Sequence, residues 1–448
     1  MKVRILLLTL CCFISTASSA ALGQIRPPAS GLTPGDYKGG QGAGTAAATN
    51  HQAKLTVPRF RVSSTLGAQQ APARHAYLTV STDWRIVGSV QYLVPQVNNH
   101  LFLLIDGDRQ VTMSGATGAA PHPLSMDQLL VPADGRAVDA DVVFEIPDHG
   151  VASLELLFID SDQGNMNVPL FGRAPPEPRA IAGPAGNGLL EAALLGMREV
   201  AAVGVVRAPA GQKYAVIDVR MRALSAGNLL RFDPTLFSVL TDADGYSYRV
   251  ASLEGLDDEF TAAMQLIPLV ASRGTLAYLV PASHSALTLA INMPQYKAIV
   301  LALPNSGPAA ARVGKPLMSF EDPDTLTLNV LGLSRAPSIG KNSAAAGKEY
   351  LILDLSFTSK VDQGIEFQTA EQLLLIDGED QIAVDSDALE ALPHGMVEGS
   401  VIAPHGQVRF QVAYQVPKAA AHLTLRYRGF NSDTKKTLPT VAAQGHGS

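Results

Sequence analysis

The amino-acid sequence predicts an all-β chain of three tandem antiparallel β-sandwiches, each with at most one short helix. Three observations predict it. Four landmarks recur three times in the same order, apolar residues alternate along the recurring segments, and Gly- and Pro-rich stretches separate the copies.

The landmarks run through each copy in turn. An opening strand reads HAYLTVSTDW, QKYAVIDVRM and KEYLILDLSF, aligned on Tyr77, Tyr214 and Tyr350. About 30 residues later comes an apolar run closed by an acidic turn, LFLLIDGD, FSVLTDADG and LLLIDGED, aligned on Asp106, Asp242 and Asp377. A strand running into proline follows, VVFEIP, LAYLVP and VAYQVP, ending at Pro147, Pro281 and Pro417. An alternating apolar strand closes the unit as SLELLF, ALTLAI and HLTLRY. The spacing of about 136 residues far exceeds the 20–50 residues of a solenoid repeat, so each copy is a whole domain.

Within a copy the period is two. Leu351, Leu353 and Leu355 fall on one face of the opening strand, and Tyr350, Ile352 and Asp354 on the other. Such alternation marks a strand with one buried face, and the DG and DADG turns suit hairpin connections. Seven strands are expected in the third copy, near 326–333, 349–357, 365–367, 372–376, 381–384, 406–416 and 423–427. That number of short strands in about 100 residues points to a sandwich. One short helix or turn per unit is expected to cross between the sheets, over 253–266 in the second copy and 386–392 in the third.

Punctuation sets the expected boundaries. Residues 1–20 read as a secretory signal peptide, with Lys2 and Arg4 before an apolar stretch and Ser18, Ser19 and Ala20 at the cleavage site. A flexible leader follows over 21–53. The units then span 54–160, 189–303 and 324–430, with linkers over 161–188 and 304–323 and a tail over 431–448. Both cysteines, Cys11 and Cys12, lie in the signal, so the mature chain is expected to have neither disulfide nor thiolate. With net charge −6 and no basic block, the chain lacks the electrostatic footprint of a nucleic-acid binder. No stretch of the mature chain is long and apolar enough to span a bilayer as a helix.

The order of a Y-[AL]-[VI]-[IL]-D-[VL] strand, an apolar run ending in D-G, a loop and a strand ending V-P resembles a family of secreted bacterial domains of unknown function. That family includes immunoprotective extracellular antigens, and the resemblance implies an immunoglobulin-like β-sandwich and an exported location. It is strongest from KYAVIDVRM to AYLVP and from EYLILDLSF to AYQVP. The first copy departs, because Thr79 and Thr82 interrupt its strand and Asp83 comes two positions after the place of Asp218 and Asp354. The family supplies no catalytic residues to carry over.

Candidate chemistry is sparse. Asp106-Gly107-Asp108, Asp242-Ala243-Asp244-Gly245, Asp377-Gly378-Glu379-Asp380 and the 160–165 stretch DSDQGN each cluster oxygen donors suited to calcium. None continues into a full calcium loop, and Asp-Gly is also ordinary turn composition, the favoured reading. His122, His149, His394 and His405 sit in Pro- or Gly-flanked loops, without the spacing that places two imidazoles on one metal. Gly340-Lys341 and Gly347-Lys348 are spaced wrongly for a phosphate loop and lead into a strand rather than a helix. There is no G-x-S-x-G elbow, and Trp84 is expected in the core.

The sequence thus yields no catalytic, cofactor or metal residues. It leads to an expectation of a non-enzymatic binding or structural protein of the bacterial envelope or exterior, periplasmic or secreted. Its loops and sheet edges would bind a protein or a cell-envelope polymer. An exported hydrolase with its active site at a domain interface and a calcium-stabilised adhesion module are the alternatives.

Overall fold

The computed structural model describes residues 46–439, apart from 226–228, 249, 252–255, 257–259, 261–263, 294, 305–314, 363–364, 397–399 and 403–405. The chain is all-β, and the same pair of four-stranded antiparallel sheets is built three times. In the first unit one sheet has the spatial order Ala46–Thr49, Ala53–Ser63, His75–Ile86, Val138–Pro147. The facing sheet runs Met166–Gly172, Ser153–Phe158, Leu101–Ile105, Arg109–Thr112. The second unit repeats the first sheet with Ala182–Gly186, Leu190–Val200, Gln212–Ala223 and Ala271–Pro281. Its facing sheet contains Ser247–Tyr248, Ser238–Asp242, Leu287–Ile291 and Ile299–Ala302. In the third unit these become Met318–Asp322, Leu326–Ala336, Lys348–Ser359 and Gln407–Pro417, opposite Asp380–Ile382, Leu373–Asp377, Leu423–Arg428 and Asp433–Thr437.

The backbone of each unit is the pairing of the tyrosine strand with the proline strand. Tyr77 faces Glu145, Tyr214 faces Leu279 and Tyr350 faces Gln415, always two residues before the closing proline. Because strand side chains alternate, that fixed register sends the same positions inward in every copy. Leu351, Leu353 and Leu355 enter the core with Leu375 and Leu425 from the facing sheet. Tyr350 and Ile352 point outward into a smaller cluster with Ile339, Ala388 and Leu392. Ala215, Ile217 and Val219 do the same for the second core, and Leu78 and Val80 for the first.

Each unit also carries the same irregularity. The strand beside the tyrosine strand gains one residue between Thr56 and Arg59, between Leu194 and Gly196, and between Val330 and Gly332. Such a bulge strengthens the local twist. The residues paired just beyond it are Ser81, Asp218 and Asp354.

The sequence-based expectations hold for the principal strands and fail at the edges. All seven strands expected in the third unit are present, together with five more, at Met318–Asp322, Ser338–Ile339, Asn342–Ser343, Ser400–Ile402 and Asp433–Thr437. Stretches expected to be leader, linker and tail contain Ala46–Thr49, Met166–Gly172, Ala182–Gly186, Met318–Asp322 and Asp433–Thr437. All five are edge strands, where Gly, Pro and charge are tolerated because only one side is hydrogen-bonded. The expected signal peptide and most of the leader lie outside the described residues.

The helix expected over 386–392 is present as Ser386–Ala391, capped by Asp385, whose side chain accepts from the Ala388 amide. A second short helix, Thr369–Gln372, gives the third unit two where one was expected. Much of 253–266 lies outside the described residues, and its end, Met264–Leu266, is a strand paired with Leu230–Phe232. The Gly340-Lys341 segment is the tip of a tight hairpin.

Trp84 is fully buried, edge-on to Phe158, with its indole N–H donated to Thr82 Oγ1 at 3.0 Å. The threonine that breaks the repeat pattern is thus the polar partner that a buried indole requires. Leu353 is fully buried between the two sheets of the third unit. Replacing it by alanine is expected to cost ~3 kcal/mol of unfolding free energy, read as a lower urea midpoint for the transition of that unit.

Candidate functional site

The outer face of the proline strand is where neighbouring units meet. Arg273 and Arg409 each lie eight residues before the closing proline of their unit. The Arg273 backbone N–H donates to the Asp108 carbonyl, and that of Arg409 to the Gly245 carbonyl at 2.9 Å. In both joints, therefore, the acidic turn of one unit docks on the same strand position of the next. These turns were read above as hairpin turns or calcium loops. The hairpin reading describes their local form, and the docking gives them a second role that local composition does not show.

At the first joint the Arg273 guanidinium holds Asp108 Oδ1 at 3.1 Å. Gln110 donates to the Gln265 carbonyl at 2.5 Å and accepts from Ser272 Oγ at 3.2 Å. Apolar contact comes from Phe102, Leu104, Leu157 and Ile159 against Ile267. At the second joint Arg409 binds Asp354 through Nε at 3.0 Å and Nη2 at 2.5 Å, and donates from Nη1 to the Asp244 carbonyl at 3.1 Å. Its guanidinium carbon lies 4.3 Å from the Tyr246 ring centroid, and Tyr246 Oη donates to Asp354 at 3.1 Å. Hydrogen bonding to the Asp354 carboxylate raises the Arg409 pKa, so this cation is fixed in its charged form. In the first unit Asp139 occupies the place of these arginines.

The second joint encloses a cleft of about 430 Å³. Its walls are mostly apolar, with Leu236, Val250 and Leu279 on one side and Leu392, Met396 and Phe410 on the other. His394 lies on the third-unit side, its ring stacked on Tyr246 with centroids 3.7 Å apart. Tyr248 Oη donates to Asp242 Oδ2 at 2.8 Å and lies 3.2 Å from His394 Nδ1. A phenol has one proton, and here the carboxylate receives it. His394 Nδ1 is therefore the donor toward Tyr248, and Nε2 carries the lone pair. Burial lowers the His394 pKa, which keeps the ring neutral, and burial pushes Tyr248 far above the ordinary phenol range.

Three buried oxygens lining this cleft have no hydrogen-bond partner among the described residues: Gln212 Oε1, Ser247 Oγ and Asn292 Oδ1. His394 Nε2 likewise makes no hydrogen bond there. Buried polar atoms without partners carry a desolvation cost, and a site that retains several together is poised for an incoming donor.

The other residues singled out in the sequence serve locally. Asp106 accepts from the Ala152 and Ser153 amides at 2.7 and 3.0 Å and pairs with Arg109 at 2.5 Å. It lies one position beyond the place of Asp242 and Asp377, since Ile105 is the residue facing Leu154 where they face Leu287 and Leu423. Asp160 closes its own turn by accepting from the Asp162 and Gln163 amides. In the third unit Glu379 and Asp380 are exposed at a hairpin tip.

His122 and His149 are exposed loop residues as expected, whereas His394 departs from that reading because the neighbouring unit covers it. His405 lies outside the described residues. Among the described residues no three His, Cys, Asp or Glu side chains are grouped to hold a metal ion, and no helix is long and apolar enough to cross a membrane.

Sequence reasoning missed Arg273, Arg409, Tyr246, Tyr248, Gln212 and Asn292. The recurrence of arginine eight residues before two of the three prolines was a readable signal. The cleft was not, because its walls come from segments more than 100 residues apart. No protein-family model matches the chain, and neither curated proteins nor solved structures show a match.

Two outcomes follow from the joints. The folded His394 pKa lies below its unfolded value, so at lower pH the unfolded state takes up the proton first. Stability is full above the ordinary histidine pKa near 6.5 and declines as pH falls from there toward the depressed folded value. Chemical denaturation across that range should show the decline in the wild type, with a smaller slope in His394→Phe. At the first joint burial raises the Asp108 pKa despite Arg273, so its charge is held at a cost. Asp108→Asn keeps an acceptor for Arg273 and should leave the melting temperature unchanged or higher at neutral pH. Asp108→Ala should lose ~1–2 kcal/mol.

Proposed function

We propose that the chain is a non-enzymatic exported binding or structural protein of the bacterial envelope or exterior, acting through the loops and sheet edges of three linked sandwiches. One observation carries this reading: both joints use the same turn-on-strand docking, with the acidic turn of one unit seated on the arginine position of the next. Units locked in this way present their loops at set spacings, which suits contact with an extended partner such as a protein or a cell-envelope polymer. The charged outer-face groups at the joints are engaged in holding units together. The N-terminal sequence pattern supports export.

The strand order supports the immunoglobulin-like reading. In each unit the proline strand joins the tyrosine strand's sheet, while the strand that follows it joins the facing sheet. Membership of the secreted family resembled above remains part of this proposal.

A hydrolase is the second reading, favoured by the convergence of His394, Asp242 and Ser247 at one cleft. Its weakness is geometric. Ser238 Oγ donates to the Pro234 carbonyl, and Ser247 Oγ has no hydrogen bond to the imidazole, whereas a catalytic serine needs a base within hydrogen-bond reach.

The mature chain incubated with ester, amide, glycoside and phosphoester substrates should show no turnover above that of His394→Ala. Robust turnover abolished by that substitution would establish the hydrolase instead. Cell fractionation should recover the protein from periplasm or medium, and recovery from cytoplasm alone would refute the export component.

A further inference from the structure

We propose that the cleft between the second and third units binds an alkylammonium group, with the aliphatic chain against its apolar walls and the three ammonium N–H groups donating within the set Gln212, Ser247, Asn292 and His394. The inference rests on the binding reading above and deepens it by naming a ligand chemistry.

Among the described residues, the buried atoms left without a partner in the cleft are all oxygens able to accept a hydrogen bond. Gln212 Oε1, Asn292 Oδ1 and His394 Nε2 are acceptors, and Ser247 Oγ can accept as well as donate. An ammonium group offers three donors and no acceptor, which is the complement of that set.

The charge balance points the same way. Among the described residues, the charged groups acting on the imidazole are Asp242, Asp354 and Asp244 on one side and Arg409 on the other. Glu390 adds another carboxylate to the lining. Arg409 is already committed to Asp354 and to the Asp244 carbonyl, so it is not free for an anionic ligand. A carboxylate entering this cleft would meet a net negative field, with the Arg409 guanidinium already engaged. A cation would gain from the field and from partners that are already desolvated.

Leu236, Val250, Leu279, Leu392, Met396 and Phe410 supply the apolar surface for the chain of the ligand, and the volume falls within the range of small-molecule sites. The same chemistry can come from a free amine or from a lysine side chain of a polypeptide, and the test separates them.

Isothermal titration of the full mature chain at neutral pH should be run with n-hexylamine, hexan-1-ol, hexanoate and an acetylated, amidated lysine peptide. Saturable binding of hexylamine or of the lysine peptide is expected, at least about tenfold tighter than hexan-1-ol, with none for hexanoate. Hexylamine alone identifies a free amine, and the lysine peptide alone a polypeptide partner. His394→Phe, which preserves the stack on Tyr246, should weaken binding by about tenfold or more. Asn292→Leu, which leaves that stack untouched, should do the same, and unchanged denaturation curves would show that both variants are folded.

Equal or tighter binding of hexanoate, no saturable binding of either amine, or amine binding indifferent to both variants would overturn the inference. Turnover in the substrate panel would sink the binding reading instead, and the order of affinities among these probes is independent of that result.

Discussion

The antiparallel pairing of the tyrosine strand with the proline strand is the constraint on which the rest of this structure depends. It spans ten or eleven residue pairs in each unit and keeps one register in all three. A slip of one residue would turn Leu351, Leu353 and Leu355 out of the core and bring Tyr350, Ile352 and Asp354 in. The penalty for that exchange is the burial of a carboxylate and the exposure of three leucines. The register is therefore enforced by the hydrophobic effect acting through a period of two.

The same register organises the outer face. With the inward set fixed, Asp354 and Arg409 come to lie on the outer surface beside the bulge, within reach of the preceding unit's turn. Position 409 presents its backbone N–H to that turn and its guanidinium to Asp354, so one residue serves both the sheet and the joint. Arg273 repeats the backbone contact, with its guanidinium directed to Asp108. The polar groups are differently distributed in the two joints. The second joint has two tyrosines and a histidine where the first has an apolar patch centred on Ile267. The larger cleft, with three buried oxygens that lack a partner among the described residues, lies at the second joint.

Divergence among the copies follows the same logic. Where the second and third units have Asp218 and Asp354, the first has Ser81, which donates to Asp141 at 2.6 Å. Thr82 takes up the indole of Trp84. Asp139 stands where the other units have the docking arginine, and it is exposed. Ser81 and Thr82, two of these departures, thus come with hydrogen-bond partners of their own.

The copy number, the strands that fill the cores, the faces they bury and the tight turns between them are all legible in the amino-acid sequence. Those properties depend on neighbours two residues apart and on burial against any apolar surface, so alternation along a segment is enough to read them. Edge strands such as Asp433–Thr437 escaped because a strand bonded on one side tolerates charge and loses the alternating signature. That Tyr246 and Tyr248 meet His394 and Arg409, and that Gln212 and Asn292 line the same cleft, is visible in the folded chain alone. Those groups are brought together by the docking of two folded units, and the energy of that docking depends on distances and dielectric surroundings that no local pattern encodes.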